Sequence, residues 1–150
     1  TPMSTNNKIV LNSRGVIGYE EALASGTVKP CHLIKLTTNG AVTVHATEGG
    51  YAERAFAIED ANQGGTVDTS YASGARVAYA TVAPGTLIQA RLALGENVTA
   101  IGTQLISNGD GTLQALSGAG SGVTVKQIIG IATEVINATS AEKFIAIRTL

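Results

Sequence analysis

The sequence predicts a mostly β fold, a small antiparallel barrel or sandwich with one short helix and an extended N-terminal arm. Three observations predict it. Glycine occurs 18 times in 150 residues and interrupts the chain at short intervals, as turns between short strands require. Valine, isoleucine and threonine are frequent, whereas runs of helix-favouring Leu, Lys and Glu are rare. The chain is 44% hydrophobic and 14% charged, which excludes disorder and suits one domain with its own core.

The first twelve residues predict an arm, and residues 13–150 predict a single β-rich domain. The opening segment Thr1–Asn7 (TPMSTNN) is polar and cannot pack a core. Lys8–Leu11 (KIVL) then forms one short β-prone run. Such a segment is either loose or tied down by a partner.

The first half of the predicted domain contains its one helix-like window. Tyr19–Ala24 (YEEALA) favours a helix that Gly26 ends, although it is too short to stand alone. Asn39-Gly40 is a strong hairpin signal. The other predicted segments of this half are a strand at 31–36, an alternating run at 41–46, a strand at 54–59 and a long connection at 61–74.

The second half shows the clearest strand pattern. Ile88, Ala90, Leu92 and Leu94 alternate with polar positions that include Gln89 and Arg91, which predicts a half-buried strand. The other predicted features are a strand at 76–83, a turn at Pro84-Gly85, strands at 104–106 and 112–116 around a turn at 107–111, a glycine- and serine-rich loop at 117–122, and strands at 127–136 and 143–149. About nine or ten strands joined by short turns favour an antiparallel barrel or sandwich.

Charge and cysteine content exclude several classes of function. The net charge of −1 provides no basic excess to neutralise phosphates, so we expect neither nucleic-acid binding nor polybasic membrane attachment. Cys31 is the single cysteine, so no internal disulfide can form. No apolar run approaches the ~20 residues of a membrane helix, and the first residues lack a signal-peptide core.

The two histidines are the first candidates for chemistry. His32 and His45 lie on neighbouring predicted strands, where two imidazoles could bind a metal ion if they faced the same side. No carboxylate or thiol lies at a suitable spacing to complete such a site. Cys31 and His32 are adjacent on a strand and therefore point to opposite faces, which argues against a catalytic thiol–imidazole pair.

Three further motifs have simpler interpretations than a functional site. Asn108–Thr112 carries oxygens at alternating positions, as calcium loops do, but a hairpin turn explains it. Gly118–Gly122 lacks the spacing of a phosphate-binding loop. The acidic pairs Glu20-Glu21 and Glu59-Asp60 are typical of solvated turns, and without tryptophan a sugar-cleaving site is disfavoured. We therefore expect no enzyme activity, no metal and no cofactor.

Several blocks occur in an order that resembles a known family. They are Ala57–Asp60 (AIED), Thr66–Gly74 (TVDTSYASG), Ala83–Thr86 (APGT), Leu92–Val98 (LALGENV), Gly102–Leu113 (GTQLISNGDGTL) and Ile129–Val135 (IGIATEV). Over residues 8–150 the chain resembles the capsid decoration proteins of tailed bacteriophages, also called cement or head-stabilising proteins.

The resemblance implies a β-tulip, barrel-like fold preceded by an arm. It implies a non-enzymatic protein made in the host bacterial cytoplasm. That protein would sit on the outer surface of the virion capsid, often as a homotrimer, and clamp neighbouring major capsid subunits. We expect the capsid contacts in the arm, where a β-prone run can add a strand to a capsid subunit. The residues expected there are Asn6, Asn7, Lys8, Ile9, Val10 and Leu11.

Two alternatives from other classes stay open at this point. The first is a head-fibre or receptor-binding module that attaches to host-surface glycans, against which stand the absence of tryptophan and the presence of only four tyrosines. The second is a small hydrolase on a β scaffold, in which only His32 and His45 could serve as imidazole bases.

Overall fold

The computed structural model describes residues 9–12, 17–116 and 126–150, and nearly all of its regular structure is strand, as the composition predicted. None of these residues belongs to a helix with the length and apolarity that crossing a membrane takes. The strands of the described ranges are β1 (Val10–Asn12), β2 (Gly18–Leu23), β3 (Leu33–Leu36), β4 (Val42–Val44), β5 (Ala55–Ala57), β6 (Arg76–Thr81), β7 (Leu87–Leu92), β8 (Asn97–Val98), β9 (Gln104–Ser107), β10 (Leu113–Ala115), β11 (Gly130–Ala132), β12 (Ile136–Asn137) and β13 (Lys143–Thr149).

Five strands close into a barrel in the order β7-β10-β9-β11-β13, because β13 pairs back to β7. That last ladder runs from Lys143 opposite Leu92 to Arg148 opposite Leu87. β10 meets β7 in parallel orientation, whereas the other ladders of this barrel are antiparallel. In this barrel the antiparallel architecture predicted from sequence therefore holds except at this one junction. We call these five strands the main barrel.

The other large sheet has the order β2-β6-β5-β3-β4, and we call it the second sheet. Its two outer strands meet at one end, where Ala24 forms a parallel bridge with Val42. There the backbone N–H of Ser25 donates to the Val42 carbonyl at 2.7 Å. Toward Gly18, β2 pairs with β6 alone among the described strands. The small ribbon of β8 and β12 completes the sheets.

One hydrophobic core joins the two sheets. Leu33, Phe56 and Ala80 lie opposite one another on three neighbouring strands of the second sheet. They belong to the same buried cluster as Ile88 and Ile147 of the main barrel. Residues on the opposite face of the second sheet form a separate cluster, which includes Ile34, Ala57, Val77 and Tyr79. Alternation along β3, β5 and β6 thus directs one face to the shared core and the other to the second sheet's own cluster.

The predicted helix is absent: β2 occupies Tyr19–Leu23 instead. Six residue pairs bind β2 to β6, from Gly18 opposite Thr81 to Leu23 opposite Arg76. An isolated helix of this length gains too few hydrogen bonds to offset its nucleation, so sheet pairing prevails. The helical segment that the described ranges do contain is a single 3-10 turn at Ala61–Gln63, inside the predicted long connection.

The polar face of β7 is also buried, which corrects the prediction of a half-buried strand. Gln89 and Arg91 are only 4% and 7% exposed, whereas Leu94 lies beyond the strand and is 65% exposed. A small cluster that contains Cys31, Val67 and Phe144 covers that side of the molecule.

Residues 9–12 of the predicted arm belong to the folded body. β1 pairs antiparallel with β7, and the Gln89 N–H donates to the Ile9 carbonyl at 2.8 Å. Ile9 is 1% exposed and packs in the cluster with Cys31, Val67 and Phe144. The body therefore begins no later than Ile9. Residues 1–8 lie outside the described residues.

Candidate functional site

The predicted capsid contacts fall in two groups. Asn6, Asn7 and Lys8 lie outside the described residues. Ile9 is buried, so its side chain has no surface to offer a partner, while Val10 and Leu11 are partly exposed on β1. Any capsid contact through Val10 or Leu11 would therefore be made by a strand that pairs with β7, and not by a free arm.

Both ring nitrogens of His45 are engaged in hydrogen bonds, so neither is free to act as a catalytic base or to bind a metal ion. Its Nε2 lies 2.7 Å from the Tyr51 carbonyl, to which it must donate a proton. Its Nδ1 lies 2.7 Å from the Ser107 hydroxyl. With the ring proton on Nε2, Nδ1 is placed to accept the Ser107 hydroxyl. Since Ser107 is fully buried, this serine–histidine pair cannot reach a substrate.

His32 is held neutral beside the second sheet. Burial, together with the nearby Arg91 guanidinium, lowers the pKa of His32 from 6.5 to about 4. Its Nδ1 accepts the backbone N–H of Lys29 at 3.2 Å. Within the described ranges, no three histidine, cysteine, aspartate or glutamate side chains are grouped closely enough to hold a metal ion.

We expect His32 to make the protein lose stability in mild acid. The unfolded chain binds the His32 proton below about pH 6.5, whereas the folded chain does so only near pH 4, so stability falls as the pH drops through this window. Between pH 7 and pH 5 the loss is about 2 kcal/mol. Urea unfolding at the two pH values measures it. His32→Asn, whose amide oxygen can replace Nδ1 as acceptor, should remove most of the difference; an unchanged difference would contradict this role.

Cys31 is a buried thiol and not a nucleophile. Burial raises its pKa to about 12, only partly opposed by the positive charge of Arg91. The thiol therefore stays protonated at neutral pH. Its backbone adopts a positive φ of 74°, which places its N–H where it donates to the Ala57 carbonyl at 2.9 Å.

In the loop at Asn108–Thr112, which resembles a calcium site, the Asp110 carboxylate is occupied by hydrogen bonds from within the loop. The Asp110 carboxylate accepts the backbone N–H of Thr112 at 3.0 Å and also the Thr112 hydroxyl. Gly111 has a φ of +86°, and a Cβ there would lie 2.9 Å from the His32 ring. The hairpin interpretation therefore accounts for this segment. Gly118–Gly122, the other loop motif, lies outside the described residues.

The two acidic pairs meet in one cleft, which the sequence did not predict. Residues of β2, Ala78 of β6 and the segment 58–62 surround a space of about 620 Å³. Its lining residues include both acidic pairs, Glu20, Glu21, Glu59 and Asp60, together with Tyr19, Ile58, Ala61, Asn62 and Ala78. Hydrogen bonding of Ile58 N–H to the Ala78 carbonyl brings the second pair beside β2. We call this the acidic cleft.

The carboxylates of the acidic cleft are poorly compensated. Glu20 accepts the Tyr79 hydroxyl at 2.5 Å, and Glu21 lies 3.7 Å from exposed Arg76. One carboxylate oxygen of Glu59 is buried and has no hydrogen-bond partner among the described residues. Burial, with added repulsion from Asp60 and Glu59, raises the pKa of nearby Tyr71 to about 12. The cleft is thus a region of negative potential suited to positively charged groups.

Tyr19 is the residue of the cleft that sequence reasoning missed. It is 62% exposed and shares a face of β2 with Glu21 and Leu23, which is also exposed. The period-two signal was present, because Tyr19, Glu21 and Leu23 alternate with Glu20 and Ala22. Helix-favouring side chains obscured it.

Comparison with known proteins identifies the fold. No protein-family model matches the chain, and no curated protein matches it by sequence. Among solved structures, the chain is similar to the N base of head fiber gp8.5 in bacteriophage phi29, with a TM-score of 0.58 and 12% identity. The similarity covers 90% of this chain and 95% of that one, so the two proteins share their fold over nearly their whole lengths.

Proposed function

We propose that this chain is a structural protein of a phage head, which binds the outer surface of the capsid and clamps neighbouring major capsid subunits. The fold it shares with the phi29 head-fiber base, over 90% of this chain, carries the proposal. The ordered sequence blocks that resemble decoration proteins support it independently.

The proposed partners are the major capsid protein and further copies of this chain, and no cofactor is required. A homotrimer would raise the effective concentration of each capsid contact, so individually weak contacts hold together ~10²–10⁴-fold more tightly. A ligand that binds only the assembled shell stabilises it by about 2.7 kcal/mol per site at 100 times its Kd. Many such sites would slow the opening of subunit contacts.

A second candidate is the base of a head fibre that attaches to host-surface glycans. The identity of the similar structure, a head-fiber base, favours it specifically. In both proposals the domain is anchored on the head. They differ in whether its main effect is on the shell or on the host.

Heads with and without the protein separate the two. We expect heads without it to assemble to normal size but to release DNA sooner when heated, because bridging contacts act mainly on kinetic stability. DNA release against time at raised temperature measures this. Equal survival curves at confirmed full occupancy would remove the clamping role. Reduced adsorption to host cells in the same samples would favour the fibre base.

A further inference from the structure

One edge of β2 lacks a partner strand in the described part of the chain. β6 pairs with all six residues of β2 on one side. On the other side the recorded bridge is made by Ala24, just beyond the strand. Residues 18–21 are all exposed. An exposed edge with free backbone N–H and C=O groups is a template for adding an extended segment.

Two side chains on this strand supply apolar contact area beside the edge. Tyr19 and Leu23 are 62% and 53% exposed on the same face. Of the four tyrosines, Tyr71 and Tyr79 are buried, so Tyr19 is one of only two at the surface. Exposed tyrosines in clefts are frequent anchors of protein interfaces.

Charge determines which segment fits. Four acidic residues line the acidic cleft, and Arg76 beside Glu21 is the one cation that forms an ion pair with any of them among the described residues. The whole chain carries 11 acidic residues and a net charge of −1, and four of those acidic residues lie at this one cleft. An acidic segment would be repelled, whereas lysine or arginine side chains would find complementary charge.

We propose that the open edge of β2 and the acidic cleft together dock an extended, lysine- or arginine-bearing segment of the capsid. The segment adds a strand beside β2, covers Tyr19, and places a cationic side chain between Glu59 and Asp60. This inference rests on the proposed function, since it names the chemistry of the capsid segment that the protein binds.

Charge-neutral variants test the docking surface on heads that lack the protein. We expect the double variant Glu59→Gln, Asp60→Asn to bind these heads about tenfold more weakly than wild type at low salt, with a flatter dependence on salt. The matched control is Glu48→Gln, Glu134→Gln, which removes the same charge elsewhere. Its glutamines keep the oxygens that accept from Gln114 Nε2 and the Ala146 N–H.

The outcomes distinguish the two proposals. Failure of the wild-type protein to bind heads overturns the proposed function and this inference with it. Binding by the wild type, with equal affinity and equal salt dependence for the cleft and control variants, overturns the inference alone.

Photocrosslinking identifies the segment directly. A benzoylphenylalanine at position 19 should crosslink to a lysine- or arginine-bearing peptide of a capsid protein on assembled heads. The same residue at position 51, where Tyr51 is 82% exposed outside the cleft, should not capture that peptide. A crosslink from position 19 to another copy of this chain, or to an acidic peptide, would contradict the proposal.

Discussion

Replacing Arg91 by alanine is expected to lower the free energy of unfolding by about 3–5 kcal/mol, as loss of one partner of a buried ion pair does. The Arg91 side chain is buried, and its guanidinium donates to the Pro30 carbonyl at 2.7 Å, to the Val67 carbonyl at 2.9 Å and to Glu142 at 2.8 Å. It also lies 4.7 Å from the centre of the Phe144 ring. The substitution would leave two carbonyls without their donors and a cavity beside the ring.

Thermal unfolding followed by circular dichroism measures this effect. In a chain of 150 residues, each kcal/mol shifts Tm by about 2–4 °C, so we expect a decrease of roughly 6–20 °C. Arg76→Ala is the matched control, because it removes an exposed ion pair with Glu21 and should change stability by less than about 1 kcal/mol. Arg91→Lys keeps the positive charge but lacks the planar guanidinium with its several N–H donors. Its loss of stability should lie between those of Arg91→Ala and Arg76→Ala. Equal stability of Arg91→Ala and Arg76→Ala would contradict the structural role.

The importance of Arg91 was not predictable from its neighbours in sequence. Alternation over 88–92 correctly predicted a strand and which face enters the core. It could not show that the other face is buried too, because the covering groups come from Pro30 and Val67, which are 61 and 24 residues away. Apolar residues that alternate with a period of two show that one face of a strand is buried. Whether the other face is buried too depends on tertiary packing.

Turns were predicted well because their chemistry is local. Asn39-Gly40 joins β3 and β4, and Gly40 has the positive φ that such a turn requires. Pro84-Gly85 forms the predicted turn between β6 and β7, which belong to different sheets, and Gly85 has a φ of 87°. Strand order was not local: β7 pairs with β1, β10 and β13, and no short-range signal encodes these partners.

The acidic cleft illustrates the same limit for a site. The sequence identified Glu20-Glu21 and Glu59-Asp60 as acidic pairs but assigned them to separate solvated turns. Only the register of β2 on β6, with Glu21 opposite Ala78, brings the pairs together. Helix propensity in β2 pointed to the wrong element, since propensity is weak against a six-pair ladder.

Truncation at the N terminus is expected to separate folding from capsid binding. If residues 1–12 formed an arm outside the core, as their composition predicts, deleting them would leave Tm nearly unchanged. The burial of Ile9 and the pairing of β1 with β7 reverse that expectation. Truncation of a buried isoleucine to alanine costs about 2–5 kcal/mol, and losing β1 also removes its ladder to β7. We expect the 1–12 deletion to lower Tm by at least about 5 °C.

Deleting residues 1–8 provides the matched control, since it removes Asn6, Asn7 and Lys8 but retains Ile9 and β1. This shorter truncation should melt like the full chain while binding heads more weakly, if those three residues contact the capsid. Ile9→Ala in the full chain isolates the packing contribution and should reproduce most of the loss seen on deleting residues 1–12. If both truncated proteins have the same Tm as the full chain, Ile9 does not stabilise the folded body. If the shorter one binds heads as the full chain does, the capsid contacts lie elsewhere, and β2 with the acidic cleft becomes the surface on which to look for them.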